Sequence, residues 1–230
     1  MKKKLRSRKQ IGTQIKNNKL VEEKRLQIAA GATKLFIKKG YASTSIREIS
    51  KTAGITIGSL YDYITKKDDI LYLVFDLFHS MWVNRLEQEG VFEIKDSAEQ
   101  LRFALRKMLQ LVNAQRDMVL LMNTEAKLLP KDCLRMILKN ESDLVKCFEK
   151  ILEKGIANGT FKTRNPFLYA NIIVYLLSLE PLRGWNFRKH YNNQYVNKFL
   201  IEFIMNGVLS VPYIVDQRRN LKLLKRSEEN

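Results

Sequence analysis

The 230-residue chain carries 41 Lys and Arg against 24 Asp and Glu, a formal net charge of +17, and is 45% hydrophobic, enough for one large core or two small ones. Four prolines and ten glycines leave few punctuation points and favour long helices over many short strands. The most continuously apolar stretch, Ile172 to Leu177, falls far short of the ~20 residues of a membrane span, so no transmembrane helix is expected.

The basic start, Met1 to Lys9, is not followed by an apolar signal core, so export is not expected. Cys133 and Cys147 lack a Cys-x-x-Cys spacing and read as two buried thiols in a reducing cytoplasm, with no disulfide framework and no zinc site. Splitting the chain after Lys67 leaves 17 basic and 4 acidic residues before the cut and 24 and 20 after it, net +13 against +4. A field so concentrated attracts polyanions, nucleic acid first and anionic membrane second. Lys2, Lys3, Lys4, Arg6, Arg8 and Lys9 fit either a solubilising tail or an arm lying along phosphates.

From Glu22, the positions of Leu26, Ala29, Ala30, Thr33, Leu35 and Phe36 predict a helix that stops at Lys38-Lys39-Gly40. Ser45 with Glu48 three residues on forms a capping box for a short second helix ending before Gly54. Thr56 can cap a third, Ile57 to about Tyr63, and Thr65 with Asp68 opens a long fourth helix from Lys67 towards Gly90. Helical spacing returns at Leu101 to Val112 and at Leu134 to Leu152, closing at Gly155. Asn165-Pro166 reads as a cap and first helical residue of an apolar segment reaching Leu179 and broken at Pro181. The last helix runs from Val196 towards Pro212, and the tail from Gln217 is charged.

Two short helices joined through Gly54-Ile55 make a helix-turn-helix, whose second member presents its N-terminal turn to a DNA major groove. Here the chain resembles the TetR family of bacterial transcriptional regulators. The resemblance is carried by Ala29-Ala30 to Phe36, Gly40-Tyr41, Thr44-Ser45-Ile46-Arg47-Glu48-Ile49, Ala53-Gly54-Ile55 and Gly58-Ser59-Leu60-Tyr61, continuing through Tyr63, Lys67 and Ile70. Gly155 to Phe161, then Pro166 and Ala170, resemble the stretch before the family's dimerisation helices, whereas Ile64-Thr65-Lys66 departs from its frequent Phe-Pro-Ser. The resemblance implies an all-α homodimer: an N-terminal three-helix helix-turn-helix DNA-binding domain and a larger helical ligand-binding and dimerisation domain. The expected division is a basic flexible arm over 1–20, the DNA-binding domain over 21–67, the effector and dimerisation domain over 68–217 and a charged tail over 218–230.

The hydroxyls of Thr56 and Ser59 can reach base edges or phosphates, Ile57 offers an apolar contact to a thymine methyl, and Gly58 permits close approach. Arg47 suits guanine or a phosphate; Tyr61, Tyr63 and Lys67 suit phosphates; Thr44 and Ser45 lie at a helix N-terminus, another anion site. Each has a plainer reading: Thr56 and Ser45 as caps, Ile57 and Tyr61 as core, Arg47 as partner of a carboxylate.

The remaining ~150 residues exceed what DNA docking needs, which points to a sensed ligand. Phe78, Trp82, Phe103, Met122, Tyr175 and Trp185 are candidate apolar walls, and Asn123, Glu125, Asn171 and Ser178 candidate polar anchors. Glu125 stands out as a carboxylate beside Met118 to Met122, to be solvated, paired or functional. Arg183 to Tyr191 mixes cations with aromatics and fits either an exposed connection or a site for an acidic ligand such as an acyl-coenzyme A thioester, as some members of the resembled family bind.

The leading reading is a cytoplasmic, ligand-responsive regulator, a repressor, that binds a near-palindromic double-stranded operator as a homodimer. Its effector is a small hydrophobic or acyl-type compound. No cofactor, metal or membrane partner is expected, and His79 and His190 have no partner at metal spacing. A nucleic-acid enzyme, recombinase or nuclease, would need converging carboxylates that Asp117, Glu125, Asp132, Glu141 and Asp143 do not suggest. A sequence-tolerant DNA-packaging protein is the third reading.

Overall fold

In the computed structural model, Asn17 starts the first helix by accepting the N–H of Leu20 at 3.1 Å. The described residues are 11–210, without the side chains of residues 80, 81, 83, 84 and 140. The basic arm before residue 11, Val211, Pro212 and the tail from Gln217 lie outside them. Helix α1, Asn18–Lys39, begins before Glu22 and ends at Gly40, whose N–H donates to Phe36 O at 2.8 Å. Helix α2, Ile46–Thr52, carries the expected Ser45/Glu48 capping box, and α3, Ile57–Tyr61, starts at Thr56 and stops short of Tyr63. Gly54 turns the chain between them at φ +66°, a backbone state that costs a side-chain-bearing residue energy.

Helix α4, Lys67–Gln88, corrects the expected cap. The capping carboxylate is Asp69, which accepts from Thr65 N at 2.9 Å, Lys66 N at 3.1 Å and the Thr65 hydroxyl; Asp68 instead accepts the Tyr41 hydroxyl. After a single 3-10 turn, Val91–Glu93, come α5, Ser97–Ala114, and α6, Arg116–Glu125. The periodic pattern did not separate α6. Helix α7, Lys131–Ala157, passes beyond Gly155.

Helix α8, Pro166–Leu177, has the expected Asn165 cap and Pro at its start. The break falls at Ser178 rather than Pro181, because proline is tolerated in the first turn of the next helix, α9, Leu179–Phe187. Arg183 to Phe187 is therefore helical rather than a connection. Helix α10, Asn193–Val208, closes the described chain. No strand is present among the described residues, only an isolated bridge between Phe161 and Leu209, so the fold is all-α as expected.

Helix α1 packs on α2, α4 and α6, and α7 on α4, α5 and α8. One continuous core results, from Val21 through Phe75 and Phe148 to Val208, so α4 runs without interruption across the expected boundary at 67/68. Cys133 is buried in this core, but Cys147 is only partly so, a correction to the pair of buried thiols.

Close approach of α1 to the end of α2 depends on Gly31, where an added Cβ would sit 3.0 Å from Ala53 N and 3.1 Å from its Cα. Neither backbone atom can rotate away. Gly31→Val is expected to cost about 1–3 kcal/mol by overpacking, read from the urea midpoint; an unchanged midpoint would mean that the two helices separate freely.

Candidate functional site

Helix α3 is held from behind. Leu60 is fully buried, Tyr63 is 5% exposed, and Arg25 on α1 donates to Tyr63 O at 3.0 Å and to Ile11 O at 2.7 Å. The opposite side is open: Ile57 and Tyr61, one helical turn apart, are 38% and 50% exposed, and Gly58 has empty space where a Cβ would point. Thr56 is exposed and spends its hydroxyl oxygen on the N–H of Ser59 at 3.2 Å, a cap that leaves its O–H free to donate.

On α2, Arg47 is exposed and forms no ion pair among the described residues, since neighbouring Glu48 is held by Lys39 at 2.6 Å. Lys51 shares its face one turn on and is also exposed, a cation the sequence reading passed over. Ser45 is exposed but bound into the box, with its hydroxyl 2.8 Å from Glu48 Oε2.

Three anticipated DNA-facing residues sit differently. Thr44 is buried and donates its hydroxyl to Gly40 O at 2.8 Å; Tyr63 is buried beneath α3. Lys67 donates to Tyr41 O and lies 4.2 Å from the centroid of the Tyr41 ring, so it locks the start of α4 against the end of α1. Desolvation there lowers the Lys67 pKa.

A second feature lies along the later turns of α4. Phe75, Phe78, His79 and Trp82 face Val119, Met122, Leu134, Ile137 and Ser178 around a chamber of about 210 Å³. A wider chamber of about 370 Å³ adjoins it, lined by Phe167, Asn171, Tyr175 and Leu182 among others; Asn123, Leu138, Glu141, Val174 and Ser178 border both. Of the anticipated ligand residues, Phe78, Trp82, Met122, Tyr175 and Ser178 are brought together here, with Asn123 and Asn171.

Phe103, Glu125 and Trp185 are not. Phe103 lies 5.2 Å from Lys107 Nζ on the α5 surface, and Trp185 is 67% exposed under Arg183. Arg188, in the segment considered for an acidic ligand, donates instead to buried Glu180 at 2.7 Å. Glu125 ends α6 against the Gly40-Tyr41 corner. The carboxyl that faces the chambers is Glu141, whose pKa burial pushes up. No group of three metal-binding side chains and no helix long and apolar enough to cross a membrane occurs among the described residues.

Residues 28–72 match the family described as bacterial regulatory proteins, tetR family, and residues 95–179 match the tetracyclin repressor-like C-terminal domain. The chain belongs to the TetR family. Similar proteins include the transcriptional regulator HbdR of Aromatoleum sp. (strain CIB), 29% identical over 204 residues, 88% of this chain and 85% of that one. The fold is shared with FadR of Bacillus subtilis in complex with stearoyl-CoA, TM-score 0.69, 21% identity, covering 79% of this chain and 98% of that one. It is shared too with AibR in complex with isovaleryl coenzyme A and operator DNA, TM-score 0.65, 18% identity, covering 78% and 97%. TetR-family proteins are DNA-binding transcription regulators, not enzymes, which sets aside the recombinase and nuclease reading.

In this TetR-family chain the helix-turn-helix has its own electrostatic support. Lys39 first, then the Ser45 backbone and hydroxyl, hold the Glu48 carboxyl at about 2, below its ordinary 4.5. A depressed folded-state pKa gives stability that is full above about pH 4.5 and is lost as pH falls from there towards 2. Glu48→Gln is therefore expected to lower the urea midpoint at neutral pH and to flatten its decline across that window. An acid limb as steep as in the parent chain would show that the box makes no such contribution.

Proposed function

We propose that the chain is a ligand-responsive repressor that binds a near-palindromic operator as a homodimer in the cytoplasm, with DNA affinity altered by a small hydrophobic or acyl-type effector. The observation that carries the proposal is the double engagement of α4. Its first residues fasten the helix-turn-helix, and about 12 Å further on, at 1.5 Å per residue, Phe75 begins the chamber wall. A ligand that moves this wall moves the base of the reading unit.

On this reading the exposed first turn of α3, with Thr56, Ile57, Gly58 and Ser59, enters the major groove. Arg47 takes a guanine or a phosphate, Lys51 and Tyr61 take phosphates, and Ser45 with the start of α2 adds an anion contact. Lys67 acts as a positioning residue through Tyr41. The basic arm, expected over 1–20 but ending before α1 starts at Asn18, supplies further cations; 21–67 form the DNA-binding domain, 68–217 bind effector and partner, and 218–230 carry further charge. The effector class draws support from the two structural neighbours that hold acyl-coenzyme A compounds. Inverting a 1:99 equilibrium between DNA-bound and released forms needs about 5.5 kcal/mol of differential effector binding.

Dimerisation is supported by apolar surface left uncovered in the single chain. Phe167, Leu168, Ile172 and Tyr175 are exposed on α8, and Tyr195, Phe199 and Phe203 recur every fourth residue on α10. Exposed apolar surface on two helices fits a two-fold interface with a second copy.

Two measurements test these assignments. With a duplex selected by the full chain from a random library, Arg47→Ala and Lys51→Ala are each expected to reduce the slope of log affinity against log salt by about 1, and Arg47→Ala to relax one base position if it reads guanine. Unchanged affinity and slope in both would remove α2 from the interface. Phe199→Asp combined with Phe203→Asp is expected to halve the sedimenting mass with helicity retained; a parent-like mass would place the interface elsewhere.

A further inference from the structure

We infer that the chamber recognises an uncharged amide head group on an apolar ligand, its carbonyl accepting from the Trp82 indole N–H and its N–H donating to the Glu141 carboxyl. The inference rests on the reading of this chamber as the effector site. Trp82 is 6% exposed, lines the smaller chamber, and its Nε1–H has no partner among the described residues. A buried donor left unpaired costs about 1–3 kcal/mol, so its retention in an apolar wall points to something that fills it.

Glu141 supplies the complementary half. It is accessible to solvent, borders both chambers and makes no hydrogen bond or ion pair among the described residues. Neither chamber has a Lys or Arg in its lining, so no permanent cation faces a ligand anion there, and His79 is the lining group that could become one. The two asparagine amides nearby already donate within their own helices, Asn123 to Val119 O and Asn171 to Phe167 O, each at 2.9 Å. Beside the His79 imidazole and the Ser178 hydroxyl, the indole N–H and the Glu141 carboxyl offer a donor and an acceptor for a ligand group that both accepts and donates.

An amide satisfies both. An ester keeps the carbonyl for Trp82 but offers Glu141 nothing. A carboxylate brings a second negative charge, or a shared proton with one charge left over, into a wall of Phe75, Phe78 and Trp82 where a neutral His79 does not compensate it. The adjoining wider chamber leaves room for a chain beyond the head group.

Calorimetric titration of the full chain with decanamide, methyl decanoate and decanoate near neutral pH tests this. Decanamide is expected to bind at least about tenfold more tightly than the ester, and decanoate more weakly still. Glu141→Leu is expected to close the gap between amide and ester. Trp82→Phe is expected to weaken both while keeping the gap. An ester equal to the amide in the parent chain overturns the inference without needing any variant, as does a gap that survives Glu141→Leu in a folded protein. Equal binding of all three overturns the head-group assignment alone; no binding of any overturns the chamber reading with it.

Discussion

Asp69 is almost wholly buried, yet its carboxylate is satisfied by the Thr65 N–H, the Thr65 hydroxyl and the Lys66 N–H, and this is what starts α4 where it does. A carboxylate in that position is tolerable only because several donors converge on it. Its two neighbours fasten the same point to the helix-turn-helix: Asp68 accepts the Tyr41 hydroxyl, and the Lys67 ammonium donates to the Tyr41 carbonyl. Burial, then the Asp68 hydrogen bond, push the Tyr41 pKa up, so the phenol stays a donor. Lys67 and Asp68 therefore tie the corner between α1 and α2, and Asp69 the residues after α3, to the base of the longer domain.

Because that corner is stiff, the geometry of α3 is inherited from α4. Helix α1 reinforces it from the other side: Arg25 grips the backbone after α3, Gln27 donates to the carbonyl of Ala53, and Gly31 lets α2 come close. The exposed turn of α3 stands on this support, with Arg47 and Lys51 beside it. Glu125 brings α6 to the same corner, where its charge acts on Tyr41 and Lys67. Two elements that border the chamber, α4 and α6, thus also touch the base of the DNA-binding unit.

The chamber itself is shaped by a different balance. Aromatic side chains from α4 leave space that α6, α7 and α8 do not fill, and the polar groups there are few. Glu141 remains on its wall with its pKa raised by desolvation, whereas buried Glu180 accepts from Arg188 through Oε1 and has Arg116 Nε 4.0 Å from Oε2.

Local chemistry determined much of this in advance. The Ser45, Thr56 and Asn165 caps, the Gly54 turn and the helical spacing of α1, α5 and α7 are short-range effects, written in residues a few positions apart, and so is the succession of residues that carries the family resemblance. What lay beyond reach were questions of phase and neighbour. Thr44 and Tyr63 look like surface polar groups until the fold buries them; Lys67 looks like a phosphate ligand until the Tyr41 carbonyl claims it. Of the carboxylates in the helical region, only packing decides that Glu125 meets the α1 corner and Glu141 the chamber, because a side chain's surroundings depend on which helices cross its face, and those come from distant parts of the chain.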